Sequence, residues 1–206
     1  MKKIKNIIFD LGGVLLNIDE NLTIEAFRQL GFYHFDNTLE GLQTSGFFTN
    51  FEIDVFSVAQ FREELQKLNK KNVSDQEIDT AWGAMLLDFP ADRVELLLRL
   101  KKKYRLFLLS NTNRLHYEMF NRILQLENNI PSISALFHKD YYSFDLKLRK
   151  PNPEIYRTIM KLENMTASEI LFVDDREENT KAAAELGWNT IHLKKESKLT
   201  DIFADY

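Results

Sequence analysis

The stretch "IIFDLGGVLLN", residues 7–17, decides how the rest of the chain reads. An apolar run of β-branched and aromatic type stops at one carboxylate, Asp10, and two glycines, Gly12 and Gly13, thin the backbone just beyond it. Apolar runs with little alternation belong to strands buried on both faces, as in a parallel sheet covered by helices. The run opens at Lys5, and four more segments share its character: "RLFLLS" (105–110), "ALFHKDYY" (135–142), "ILFVDD" (170–175) and "NTIHLK" (189–194).

Helical patterns separate the last four strands. Leu115, Met119, Ile123 and Leu126 recur at helix spacing between Arg114 and Leu126. Asn152 and Pro153 supply an N-cap and a first helical residue for "NPEIYRTIMKLE", and "TKAAAELG" (180–187) ends on a glycine suited to a C-terminal cap. Alternating strands and helices predict an α/β fold with a Rossmann-like, three-layer parallel sheet core. The first connection is too long for it. A crossover takes about a dozen or more residues, and the helix "PADRVELLLRLKKK", opened by Pro90, suffices for the step into Arg105. The surplus is helical in pattern: Phe56, Ala59, Phe61, Leu65 and Leu68 recur near helix spacing, and "SDQE" (74–77) forms a capping box. The expected division is a core of residues 1–15 and 90–206 with an inserted α-helical cap domain, 16–89. Its hinges are expected near Leu16 to Asn17 and Asp88 to Pro90, and "GLQTSGFFTNF" (41–51) reads mainly as the insert's aromatic core, with part facing substrate.

Composition narrows the classes. The 206 residues, 44% of them hydrophobic, can bury a full core and add a smaller unit. A net charge of −4 leaves no basic surface for nucleic acid, and the lysines at 101–103 and 194–195 read as solvated helix ends or loops. There is no cysteine, which removes disulfides and thiolate zinc sites. The basic start "MKKIKNIIFD" is too short for a signal segment, and no run approaches the ~20 apolar residues of a membrane span. A soluble, cytoplasmic protein with no membrane partner is expected.

In an open parallel sheet, ligands bind beyond the carboxyl ends of the strands. Those ends carry Asp10, Ser110 in "LLSNTN", and Asp174 with Asp175 in "LFVDDREEN"; the loop after the third strand adds Lys150. Singly, each has a plain reading as a cap, turn former or solvated loop residue. Together they converge on one crevice, where clustered carboxylates need a cation, and oxygen-only ligands favour Mg²⁺. Magnesium beside a lysine and a serine hydroxyl makes a phosphate site.

These residues resemble the haloacid dehalogenase-like hydrolases. "FDLGGVL" is similar to the family's first motif, "LLSNTN" to the second, "RKPNPEIY" to the third and "FVDDREEN" to the acidic fourth, and the insert falls where that family carries a helical C1 cap. The resemblance implies a Mg²⁺-dependent phosphatase for a small phosphorylated metabolite. Asp10 would be the nucleophile, forming an aspartyl-phosphate that water hydrolyses. Magnesium would be held by Asp10, the Gly12 backbone carbonyl and Asp175, with Asp174 and Asn179 behind them. Ser110 and the Asn111 amide would bind the phosphoryl oxygens, and Lys150 would balance their charge. "SNTNRLH" (110–116) with "FDLGGV" is similar to the bacterial glucose-1-phosphate phosphatase branch, which implies a sugar phosphate.

One position departs from the family pattern. Its phosphatases usually carry a second aspartate, a general acid and base, two residues after the nucleophile; here that residue is Gly12. Asp19 and His116 are the candidate substitutes. A haloacid dehalogenase tolerates the glycine but leaves the Asp174–Asp175 pair unexplained, and a phosphate-binding protein with little turnover is the other alternative. A phospho-receiver domain fits poorly, because its acidic pair follows the first strand.

Overall fold

A computed structural model describes residues 4–32, 46–69 and 71–206. In chain order among the described residues, β1 (Asn6–Phe9) is followed by α1 (Glu20–Gln29), α2 (Phe47–Glu52), α3 (Val58–Lys67) and α4 (Asp75–Gly83). Next come α5 (Ala91–Leu100), β2 (Arg105–Ser110), α6 (Arg114–Asn128), β3 (Lys139–Tyr142) and α7 (Ser143–Leu146). The chain closes with α8 (Pro153–Leu162), β4 (Ile170–Asp174), α9 (Glu177–Glu185), β5 (Asn189–His192) and α10 (Leu199–Ile202).

The five strands form one sheet in the order β3-β2-β1-β4-β5, and every pairing is parallel. Alternate residues of each inner strand enter different layers, which is why the sequence shows runs rather than alternation. Ile7, Phe9, Leu106, Leu108, Leu171 and Val173 pack with α5, α6 and Phe203 on one face. Ile8, Phe107, Leu109 and Phe172 pack with Ile155, Tyr156 and Ile159 of α8 and with Trp188 on the other. The chain steps outward from β1 to β3, then returns to β4 on the far side of β1. The crevice for a ligand therefore opens between β1 and β4, at the reversal of strand order.

α1 to α4 carry their own hydrophobic cluster of Phe27, Phe47, Phe51, Phe61, Leu65, Ile78 and Trp82, into which α6 inserts Leu115. The Ser74–Glu77 capping box is present, and Ser57 with Gln60 forms another at the start of α3. The two links to the sheet run side by side. Asn17 donates its backbone N–H to the Asp88 carbonyl (2.9 Å), Leu87 donates back to the Asn17 carbonyl (3.0 Å), and Ile18 bridges Leu86.

Beyond small shifts at element ends, such as β5 stopping at His192 and α5 at Leu100, the starts of two elements differ from the sequence reading. The strand expected over 135–142 covers only Lys139–Tyr142, because residues Ile133–Leu136 form a 3₁₀ turn. There the Ile133 N–H donates to the Asn121 side chain (2.8 Å), and Ile133 and Leu136, three apart, bury together against the helices. α9 begins at Glu177 rather than Thr180, since the Asp174 carboxylate accepts the Arg176 N–H (2.8 Å) and starts the turn early. No helix among the described residues is long and apolar enough to cross a membrane.

Candidate active site

Asp10 follows the last residue of β1, and its N–H donates to the Val173 carbonyl at 2.9 Å. That bond places the side chain where β1 and β4 part. Asp10 Oδ1 accepts the Leu11 N–H (2.7 Å) and lies 2.8 Å from Lys150 Nζ. The same ammonium is 2.6 Å from Asp174 Oδ2. Asp174 is fully enclosed: besides Lys150 and the Arg176 N–H, both its oxygens accept from Asn179 Nδ2 at 3.0 Å. One oxygen from each of Asp10, Asp174 and Asp175 falls within 4.8 Å of the others.

The electrostatics follow from burial. Burial pushes the Asp10 carboxyl up to about 7 against the pull of Lys150, with Asp174 adding to the rise. Burial alone would lower Lys150, but Asp10 and Asp174 outweigh it and hold the ammonium above its ordinary value. Burial and Asp174 raise Asp175. Fully ionised, three carboxylates against one ammonium carry a net charge of −2 in a largely buried, oxygen-only donor set. That is the charge and chemistry a hard divalent cation fits.

The glycines now have a reason. Gly13 has a φ of +71°, and a Cβ there would overlap the Asp175 carboxylate. Glycine at 13 lets the acidic loop after β4 close on Asp10. Ser110, the last residue of β2, is buried and lines the same cavity, as does Gly12. The Asn111 side chain clasps the backbone of Lys150, donating to its carbonyl and accepting its N–H, both at 2.9 Å. The sequence-derived set of Asp10, Gly12, Ser110, Asn111, Lys150, Asp174, Asp175 and Asn179 is thus gathered at one end of the sheet.

The two candidate proton donors fall elsewhere in the scheme. Asp19 is the N-cap of α1, its Oδ1 accepting from the Asn21 N–H and side-chain amide, both 3.0 Å, and it is outside the cavity lining. His116 does line the cavity, but its Nε2 is 3.0 Å from the Trp82 carbonyl, an acceptor, so Nε2 carries the hydrogen and donates it. The ring stacks on Trp82 at 5.0 Å, and burial depresses its pKa to about 4, leaving it neutral near pH 7. Asp19 caps a helix and His116 ties α6 to the insert; neither is placed as a general acid.

The cavity measures about 520 Å³, the size for a small metabolite. The insert supplies part of its wall through Thr23, Phe48, Thr49, Glu52, Trp82 and Met85. Phe47 and Phe51 of the aromatic stretch are buried within the insert, while Phe48 faces the cavity; residues 41–45 of that stretch lie outside the described residues. Sequence reasoning missed Glu52 and Arg149, which also line the cavity. Arg149 had a signal, since it directly precedes Lys150; Glu52 had only its place at the end of an aromatic run.

A parallel-sheet hydrolase core with an acidic cluster at its strand reversal is the class that fold and site define. The chain belongs to the haloacid dehalogenase-like hydrolases, whose family profile matches residues 4–187. It is 32% identical over 187 residues to a D-ribitol-5-phosphate phosphatase of Bacteroides thetaiotaomicron, covering 91% of this chain and 90% of that one. It is also similar to the crystal structure of a HAD family enzyme from the same organism, at a TM-score of 0.92 and 36% identity over 98% of this chain and 99% of that one. A wild-type structure of a HAD family enzyme from that organism, in complex with magnesium and inorganic phosphate, matches at a TM-score of 0.86 and 37% identity, covering 97% and 99%.

Proposed function

We propose that the protein is a Mg²⁺-dependent phosphatase for a small phosphorylated sugar alcohol, working through an aspartyl-phosphate on Asp10. The observation that carries this is the Lys150 ammonium lying between Asp10 (2.8 Å) and Asp174 (2.6 Å), with an Asp175 oxygen within 4.8 Å of both. The relative that hydrolyses D-ribitol 5-phosphate supports the substrate class.

In this reading Asp10, the Gly12 carbonyl and Asp175 hold the magnesium, which neutralises charge on the phosphoryl group. No described residue hydrogen-bonds Asp10 Oδ2, and this oxygen attacks phosphorus in line as the ester P–O bond breaks. The Ser110 hydroxyl and the Asn111 N–H hold the equatorial oxygens, and Lys150 offsets their charge. Asp174, fixed by Asn179, keeps Lys150 aimed at Asp10. With Gly12 in place of an acid, the proton for the departing alkoxide comes from solvent, and a second water then cleaves the acyl-phosphate. Residues 1–15 and 90–206 act as the core and 16–89 as a cap that excludes bulk water, moving on the paired links at Asn17 and Asp88.

The test is phosphate release from ribitol 5-phosphate, glucose 1-phosphate and an aryl phosphate, with Mg²⁺ or EDTA. Release is expected with Mg²⁺ alone, with ribitol 5-phosphate preferred over glucose 1-phosphate, and Asp10→Asn abolishes it while leaving the circular dichroism spectrum intact. Turnover in EDTA, turnover by Asp10→Asn, or chloride release from a 2-haloacid in place of phosphate would each overturn the reading.

A further inference from the structure

The cavity has a second polar pair, formed by residues that are not part of the carboxylate cluster. Glu52 ends α2 and Arg149 precedes Lys150; Arg149 Nε lies 2.9 Å from Glu52 Oε2, and Arg149 Nη1 donates to Thr49 Oγ1 at 3.3 Å. All three residues line the cavity with Asp10 and Ser110. Burial pushes the Glu52 carboxyl up against the pull of Arg149. The contact is short but badly directed, since neither Glu52 Oε2 nor Arg149 Nε completes a hydrogen bond. A guanidinium has five N–H donors and a carboxylate about four acceptor positions, so this pair keeps capacity in reserve.

The seam between insert and sheet is also tied at a second place. Outside the cavity lining, Asp54 accepts from Arg114 (3.0 and 3.2 Å) and from Lys147 (2.6 Å) in well-formed bonds. Desolvating a further ion pair is costly unless its remaining hydrogen-bonding groups are satisfied. At Glu52 and Arg149, a bound molecule would satisfy them.

We propose that Glu52 and Arg149 read hydroxyl groups at the non-phosphorylated end of the substrate and so select polyol phosphates. The inference rests on the phosphatase reading above. A second phosphate or a carboxylate at that end meets the Glu52 carboxylate and an ammonium meets Arg149, with Arg176 and Lys150 also acting on Glu52 across the cavity. A hydroxyl donates once and accepts twice, and neighbouring hydroxyls serve the carboxylate and the guanidinium together. Because Glu52 comes from the insert and Arg149 from the segment that carries Lys150, the pair assembles only when the insert docks on the core.

The experiment compares kcat/KM for ribitol 5-phosphate and for phenyl phosphate, which has the phosphoryl group and no hydroxyl. Wild type, Glu52→Gln, Arg149→Met and Asp54→Asn are measured side by side. The ratio of the two values is expected to fall about tenfold or more in Glu52→Gln and Arg149→Met, chiefly through KM for the polyol. Asp54→Asn loosens the seam outside the cavity and keeps the wild-type ratio. A ratio within twofold of wild type in both cavity variants, or an equal fall in Asp54→Asn, overturns the proposal alone and makes the pair a seam contact. Absence of Mg²⁺-dependent release from both esters by the wild-type protein overturns the phosphatase reading, and this proposal with it.

Discussion

The sheet core and the helical insert handle buried charge differently. In the core, aliphatic residues and rings such as Phe9 and Phe172 give way to charge at the carboxyl end of the sheet, where Asp10, Lys150 and Asp174 are each at most 8% exposed. In the insert, rings pack on rings: Phe51 stacks on Phe61 at 4.0 Å and Phe61 meets Trp82 at 4.9 Å. Among the described residues Thr23 is the insert's sole fully buried polar residue, with Glu52 half-buried at the cavity wall. Charge is buried where the parallel sheet can saturate it with partners, and the described residues of the insert contribute none of those partners. In the reading proposed above the insert moves without dismantling the acidic cluster and adds wall and selectivity to the cavity.

The strongest way to break this contrast is to remove the cation that makes the core's charge tolerable. Lys150→Met leaves Asp10 and Asp174 facing each other in a buried site. Breaking a buried ion pair from one side costs about 3–5 kcal/mol, so urea unfolding should show a loss of that order. Phosphatase activity should fall by about a thousandfold or more, since the variant loses its fixed charge at the transferring group. Added Mg²⁺ should restore part of the stability and little of the activity. A variant as stable as wild type would mean that the carboxylates are not held charged by Lys150.

A second test sharpens the boundary between the two regions, which His116 crosses through its bond to the Trp82 carbonyl. Its pKa is lowered from 6.5 to about 4 by burial. Between those values the unfolded chain binds a proton that the folded one refuses, so stability is complete above about pH 6.5 and declines as pH falls towards 4. The depression corresponds to roughly 3 kcal/mol. His116→Gln, which keeps a donor for the carbonyl, should flatten the stability profile across that window. An unchanged acid slope, followed by urea unfolding at several pH values, would show that the ring is not buried neutral.

The core was the more legible region. A strand buried on both faces must be apolar throughout, so Ile7 to Phe9 and Leu106 to Leu109 announce themselves, and the strand ends then point to Asp10, Ser110 and Asp174. Residues 135–138 deceived because Ile133 and Leu136 are buried by a turn rather than a strand, which depends on an Asn121 contact twelve residues away. The Gly13 requirement was invisible in one segment alone, since it depends on Asp175 arriving from the far end of the chain. Glu52 was hidden for the same reason: its partner, Arg149, is brought near only when the insert docks. The caps read correctly at Ser74 and Asn152 are local, whereas His116 gave no local sign that its Nε2 was already committed.

Asp19 offers the smallest effect and the finest test of the same contrast. As the N-cap of α1 it satisfies the Asn21 N–H at 3.0 Å, at the point where the chain leaves the paired link for the insert. Loss of an N-cap costs about 1 kcal/mol, so Asp19→Ala should lower stability by that amount and Asp19→Ser should recover most of it. Activity on phenyl phosphate should change less than threefold, because the carboxylate is outside the cavity. A tenfold fall in kcat for Asp19→Ala that Asp19→Ser does not rescue, with the basic limb of the pH profile lost, would return this residue to the role of proton donor. Such a result would mean that the insert does supply chemistry to the core, and the division drawn between the two regions would have to be redrawn at α1.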